Sequence, residues 1–419
     1  MTDAPVLDTE ELAVEQMTVK SSIREYFARV RGGEIGALPA VLGLLSLVVF
    51  FTAMEPDRFA SLLNFANLIN QSAMIVFISM GLVFVLLLGQ IDLSAGVTAG
   101  TSGAVLAVLL TNHGVAWPVA IGVCLLTGTA IGLTIGLIVA RLGVPSFVVS
   151  LAFFLGLQGV MLWVIGEGGT IPVRNDTILS IMNANMAPPL GWVLVVLVVG
   201  GYAAVTLAGV RNRVRHRLPA QSATIAWFKI ISLAVLVTVV TYLLNQERSV
   251  NPDLTSLKGL PYIVPISIVF LVGLTFLLSR TSFGRHVYAI GGNVEAARRA
   301  GINVAGVQII CFMICSAMAA MSGILFASRD NSISPSTGGS ITLLLAVGAA
   351  VIGGVSLYGG KGRVRDAMLG GLVVATIANG LPLITSASSV QFIVTAMVLL
   401  LAAAVDALSR RRAAATGHF

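Results

Sequence analysis

The chain has 419 residues, 57% hydrophobic and only 10% charged, with a formal net charge of +7. Soluble domains carry about 25% charged residues, so this composition excludes a soluble globular protein and implies an integral membrane protein. The basic residues punctuate apolar runs instead of forming one basic surface, which argues against nucleic acid as a partner.

Residues 1–35 are polar, first acidic (Asp3, Asp8, Glu10, Glu11, Glu15) and then basic (Lys20, Arg24, Arg29, Arg31). They predict a cytoplasmic tail with no cleavable signal, because the first apolar run begins near Ala37 and no A-x-A site follows it. A membrane domain is expected over 36–409, followed by a basic cytoplasmic tail at 410–419. Twelve apolar segments are read near 38–54, 65–89, 93–112, 117–140, 146–165, 190–209, 225–244, 262–279, 304–326, 341–357, 367–385 and 390–408. Each is near the length of about 20 residues whose helix crosses one hydrocarbon core of about 30 Å. The fold class is therefore an all-α polytopic membrane protein with about 10–12 transmembrane helices. The alternating pattern of a transmembrane β-barrel is not seen, and 44 glycines favour close helix contacts through small residues. Two places are irregular: 65–112 reads as one broken unit, and 367–385 contains Pro382.

Threaded with the N-terminus inside, one side holds 20 of the 25 Lys and Arg residues. The other side holds Arg58, Arg174, Arg248, Lys258 and Arg329. The positive-inside rule makes the first side cytoplasmic and places both termini there.

Leu86-Leu-Leu-Gly-Gln-Ile-Asp-Leu-Ser-Ala-Gly96 interrupts the apolar pattern. A carboxylate at mid-membrane costs about 2.5–3.5 kcal/mol on insertion scales, so Asp92 needs a partner or water. Either it N-caps a helix starting at Leu93, with Ser94 assisting, or it lines a pathway or gate together with Gln90. Asn67, Asn70 and Gln71 have helix-face spacing and either face a lumen or bond neighbouring helices. A second break, Val351-Ile-Gly-Gly-Val-Ser-Leu-Tyr-Gly-Gly-Lys-Gly-Arg-Val-Arg-Asp366, superficially resembles a phosphate-binding loop. It fails that pattern, because Val355 stands at the first glycine position and Gly362 follows the lysine. One glycine-interrupted segment in each half is the pattern of transporters built from internal repeats.

No catalytic constellation is legible. His113, His216, His286 and His418 are scattered, and Cys124, Cys311 and Cys315 lie in apolar runs as small packing residues. The polar stretch 280–303 stands apart from the rest. Asn293 suits an N-cap, Glu295 the positive helix start, Ala296, Ala297 and Ala300 the helix body, and Gly301 its stop. A two-turn helix at 294–300 follows. It is too short to persist alone, so it packs either on its own membrane domain or on a cytoplasmic partner.

Phe283-Gly-Arg-His-Val-Tyr-Ala-Ile-Gly-Gly-Asn-Val-Glu-Ala-Ala-Arg-Arg-Ala-Gly-Ile-Asn303 resembles the cytoplasmic loop of bacterial sugar ABC-importer permeases, the ribose, xylose, arabinose and galactose group. Gly89-Gln-Ile-Asp-Leu-Ser-Ala-Gly96, Val144-Pro-Ser-Phe147 and Val351 to Gly362 extend the likeness, in the same order, over about 55–408. An insert at about 210–260 is similar to the xylose permeases rather than to the shorter ribose ones. Gln90 departs from the pattern of the resemblance, in which Gly or Glu usually stands before Ile-Asp-Leu-Ser. The resemblance implies a type II ABC-importer bundle in the bacterial inner membrane, working as a dimer with the pathway between two copies. It implies a sugar-binding protein outside and an ATPase inside, so this chain is a transport subunit, not an enzyme, and needs no cofactor. Asn293, Glu295, Ala297, Arg298, Arg299 and Gly301 would form the helix that couples to the ATPase. Permeases for other small solutes, such as an amino acid or nucleoside, share the pattern. A gradient-driven transporter is expected to carry more intramembrane acids than Asp92 alone.

Overall fold

The computed structural model describes residues 38–166, 169–216, 222–249 and 251–415, without the side chains of 402, 403 and 405–415. The expected tail at 1–35 lies outside the described residues, as do the side chains of the basic tail at 410–419. Every apolar segment read from the sequence is a helix. Helix α1 (Leu38–Met54) and the single turn α2 (Pro56–Phe59) lead into α3 (Leu62–Leu87), α4 (Ala95–Thr111), α5 (Trp117–Leu142) and α6 (Ser146–Ile165). Strand β1 (Ile171–Pro172) and helix α7 (Asp176–Asn183) precede α8 (Pro188–Arg215) and α9 (Ala223–Leu244). Then come α10 (Ile263–Arg280), α11 (Ser282–Gly292), α12 (Val294–Arg299), α13 (Val304–Arg329), β2 (Ser332–Ile333), α14 (Ser340–Gly353), α15 (Val364–Ile384) and α16 (Ser388–Ala415). Among the described residues, eight helices are long and apolar enough to cross a membrane: α3, α5, α6, α8, α9, α10, α13 and α15. Helices α1, α4, α14 and the apolar part of α16, Ser388–Leu401, are shorter. The unit at 65–112 is indeed broken, between Leu87 and Ala95, whereas Pro382 sits near the end of an otherwise continuous α15.

The chain forms two compact units. The larger comprises 35–185 with 261–411. Its centre is α13, packed on α3, α4 and α5. Apolar side chains give no net drive for helices to associate in lipid, so close backbone approach has to hold them. Gly128, Gly132 and Gly136 supply it along one face of α5. A Cβ on Gly132 would strike the Phe312 carbonyl and lie 2.8 Å from Met313 Cα, and one on Gly136 would lie 2.8 Å from Ile309 Cα. Helix α3 is buried without interruption from Ser72 to Leu87. Helix α15 packs on α14 and α3, and β1 pairs antiparallel with β2, Ile171 opposite Ile333. The three cysteines are buried and unlinked.

The smaller unit is built around 186–260. It takes in α8 as well as α9, which the sequence assigns to the insert. The two helices meet where Gly191 faces Thr241, and Asn245 donates to the Pro188 carbonyl at 3.4 Å. The loop after α9 is organised by two adjacent residues. Glu247 accepts from the backbone N–H of Arg248, Ser249 and Leu257 at 3.0, 3.0 and 2.9 Å, and from Ser256 Oγ at 2.8 Å. The Arg248 guanidinium turns inward and donates to the carbonyls of Leu244 and Gly259. The Ser249 and Leu257 amides, with Ser256, hold the Glu247 carboxyl far below the usual range, at about 2.

Candidate functional site

The polar stretch after α10 folds into two short helices. Thr281 caps α11, its Oγ1 accepting from Gly284 N at 3.2 Å. Phe283 then stacks on Phe84 of α3 with ring centroids 6.5 Å apart. Helix α12 follows after the single residue Asn293, whose Oδ1 accepts from Ala296 N at 2.9 Å. Its other end is closed by Gly301 at φ +82°. Gly301 N donates to Arg298 O at 3.0 Å and Ile302 N to Ala297 O at 3.1 Å, the paired bonds of a Schellman ending. Ala300 is the C-cap, so the helix stops one residue short of the expected 294–300.

A six-residue helix cannot sustain itself, and a single buried contact anchors this one. Ala297 is 4% exposed and belongs to the apolar core. Asn293, Val294, Glu295, Arg298 and Arg299 all face outward. The Glu295–Arg298 pair, 2.8 Å apart and well exposed, adds little stability and leaves both groups accessible.

The first break runs from Leu88 to Ser94. Gly89 reverses the chain at φ +71°. Asp92 is fully buried; its Oδ1 accepts from Ser94 N at 2.9 Å and from Ser94 Oγ at 2.6 Å. This corrects the expected cap. Helix α4 starts at Ala95, not Leu93, and the hydrogen bonds of the Asp92 carboxylate go to Ser94, in the turn in front of the helix, rather than to helix amides. Asp92 Oδ2 is buried without a hydrogen-bond partner among the described residues. Gln90 Oε1 and Asn70 Oδ1 are also buried and unpartnered among the described residues.

The other polar residues of α3 divide. Asn67 is exposed. Gln71 Oε1 accepts from Asn379 Nδ2 of α15 at 3.2 Å, and Asn379 exchanges two further bonds with Asn64, at 2.8 and 2.9 Å. Gln71 thus ties two helices together. Asn64, at the start of α3, lies outside the apolar window read from the sequence; its signal there is the three-residue spacing to Asn67. The first break, Asp92 and α12 share the larger unit, so α11 joins the exposed helix to the core that holds the buried carboxylate.

A family profile described as branched-chain amino acid transport system / permease component matches residues 64–403. The xylose transport system permease protein XylH of Escherichia coli is 32% identical over 386 residues, 92% of this chain and 95% of that protein. The Haemophilus influenzae XylH is 32% identical over 375 residues, 89% of this chain and 96% of the relative. The ribose import permease protein RbsC of Escherichia coli is 30% identical over 383 residues, 91% and 96% of the two chains. No solved structure matches. The order of apolar helices, the two breaks and a match spanning most of the chain lead to one conclusion: this polytopic membrane protein belongs to the branched-chain amino acid transport system / permease component family.

Proposed function

We propose that this chain is the membrane-spanning permease subunit of an ATP-binding-cassette importer for a monosaccharide, xylose or another pentose. The observation that carries this reading is α12, a helix capped at both ends, anchored by Ala297 and presenting Glu295, Arg298 and Arg299 outward. Xylose and ribose permeases as relatives over 87% or more of the chain support the solute class. ATP is hydrolysed by a partner at the cytoplasmic face, where both termini also lie. A binding protein delivers the sugar on the other side, and two copies of the chain enclose the pathway. Asn293 to Gly301 dock in the ATPase, with Ala297 as the anchor and the two arginines as partners for acidic groups. Asn67, Asn70, Gln71, Gln90 and Asp92 are the pathway or gate candidates, foremost Asn70, Gln90 and Asp92, since each of these three keeps a buried oxygen without a partner among the described residues that a moving solute or water can meet.

A gentle pull-down of the tagged chain from its native membrane tests this. An ATPase is expected to co-purify, and to be lost from Glu295→Pro or from the double Arg298→Glu, Arg299→Glu variant while the chain still folds. Full transport by these variants would refute the docking role. The family description names amino acids, so the co-purified binding protein is titrated with xylose, ribose and leucine. Binding of leucine alone would move the substrate to the amino-acid class.

A further inference from the structure

Three stretches far apart in sequence meet at one backbone junction. They are the end of α3 with its turn, Leu87 to Gly89; the last turn of α11 at Gly291; and the turn Tyr358 to Gly360 in the second break. Gly360 N donates to the Leu87 carbonyl at 2.9 Å. A Cβ on Gly291 would fall on that same carbonyl and lie 2.6 Å from Gly360 N. A Cβ on Gly359 would lie 2.9 Å from Gly89 N and 3.0 Å from both Gly291 O and Leu87 O. Only bare backbone fits on each side. Tyr288, one turn before Gly291, adds a latch, its Oη donating to the Gly362 carbonyl at 2.7 Å. With the Phe283–Phe84 stack, α11 is held to α3 near both of its ends and to the second break as well.

The mechanical consequence follows from the kind of contact. Flexible side chains can absorb a small displacement by changing rotamer, but backbones in direct contact pass it on. Helix α12 is joined to α11 through Asn293 alone, and Ala297 seats it on the core. A push on its exposed face therefore reaches the end of α3 and the turn of the second break together. The first leads through Gly89 to Gln90 and Asp92. The second leads on to α15.

We infer that this glycine junction is the positioning element that carries movement of α12 to both helix breaks, with Gly291 and Gly360 closing it and Tyr288 latching it. The inference rests on α12 being the ATPase-coupling helix.

The neighbours Gly291 and Gly292 make the test. Both end the same helix, and a Cβ on Gly292 meets nothing within 4 Å. The chain, in complex with its co-purified ATPase, carries Gln90→Cys labelled with an environment-sensitive fluorophore; its own three cysteines are buried. Two quantities are read: ATPase retained on the tagged chain, and the fluorescence change on adding ATP. Gly291→Ala is expected to retain the ATPase and its hydrolysis while the ATP-driven change falls at least about fivefold, the low end of a coupling between sites. Gly292→Ala is expected to behave as wild type. An undiminished signal in Gly291→Ala, an equal loss in Gly292→Ala, or no ATP response in a wild-type background that holds the ATPase would each overturn the junction. If Gly291→Ala does not accumulate in the membrane, Tyr288→Phe decides, since it deletes one hydrogen bond and almost no volume; a full signal there also overturns it. Failure of the coupling reading looks different, because the wild-type chain would then retain no ATPase at all.

Discussion

Helices α8 and α13 are alike as sequences and opposite as structures. They have 28 and 26 residues, each carries a long apolar stretch with arginine at its C-terminal end, and both contain glycine and alanine. Yet 61% of the apolar window of α13 is buried within the protein and only 6% of that of α8. Their glycines show the same split. A Cβ on Gly323 of α13 would strike the Ala99 carbonyl, whereas Gly200, Gly201 and Gly209 of α8 have nothing within 4 Å. Hydropathy therefore decides that a helix enters the bilayer, and backbone approach decides which helices become the core.

The widest separation is expected from one substitution made in both settings. Gly132→Ala pushes a methyl into the α13 backbone and is expected to cost about 1–3 kcal/mol, the usual penalty of overpacking. Gly201→Ala in α8 is expected to stay within about 0.5 kcal/mol of wild type. Thermal unfolding of the purified protein in mild detergent reads both, and equal losses would erase the distinction. Polar groups give a second pair. Asn379→Leu removes the centre of the Asn64–Gln71–Asn379 set, and interhelical bonds of this kind in membranes are worth about 0.6–2 kcal/mol. Asn67→Leu, at an exposed position of the same α3, is expected to leave the melting temperature unchanged. A larger loss at Asn67 would move the helix contact to the wrong face.

Helix caps come next in size. Asn293→Ala removes the bond to Ala296 N and is expected to cost about 1 kcal/mol of helix stability, whereas Glu295→Ala breaks only an exposed pair worth about 0.5 kcal/mol or less. Amide exchange across 293–302 measures both, and the reverse order would mean that the ion pair, not the cap, holds α12. The smallest effect is confined to the loop after α9 in the smaller unit. Its Glu247 carboxyl has a folded pKa depressed from 4.5 to about 2. Its contribution is thus fully present above pH 4.5 and disappears as pH falls through about 2. Glu247→Gln is expected to speed exchange of the Ser249 and Leu257 amides at neutral pH. The difference from wild type should close as pH is lowered across that window. A difference that persists unchanged at the acid end would assign the loop's order to Arg248 instead.

The caps of α12 were legible because cap chemistry is local. Asn293 and Gly301 act within three residues of themselves, so their types and spacing are enough. The break between α3 and α4 was legible for the same reason, since Gly89 and Asp92 interrupt an apolar run. The role of Asp92 inside that break was not, because a carboxylate can bond a turn amide or a helix amide at nearly the same sequence separation, and the backbone path after Gly89 decides which lies within reach. Asn64 lies just outside the apolar window that begins at residue 65, and nothing local marks its partner, Asn379, on another helix.

Sequence by itself determined that the protein is membrane-embedded, where its apolar helices and breaks fall to within a few residues, and that a capped polar helix follows Asn293. These follow from transfer free energies and backbone bonds that act within a few residues. The short helices α2, α7 and α11 were not legible. Tertiary structure alone decided which helices form the centre, that Ala297 faces inward, and that Leu87, Gly291 and Gly360 share one junction. The reason is that a glycine carries no sign of what will lie against it. The close approach it permits is a property of two backbones, and the second is supplied by residues far away along the chain.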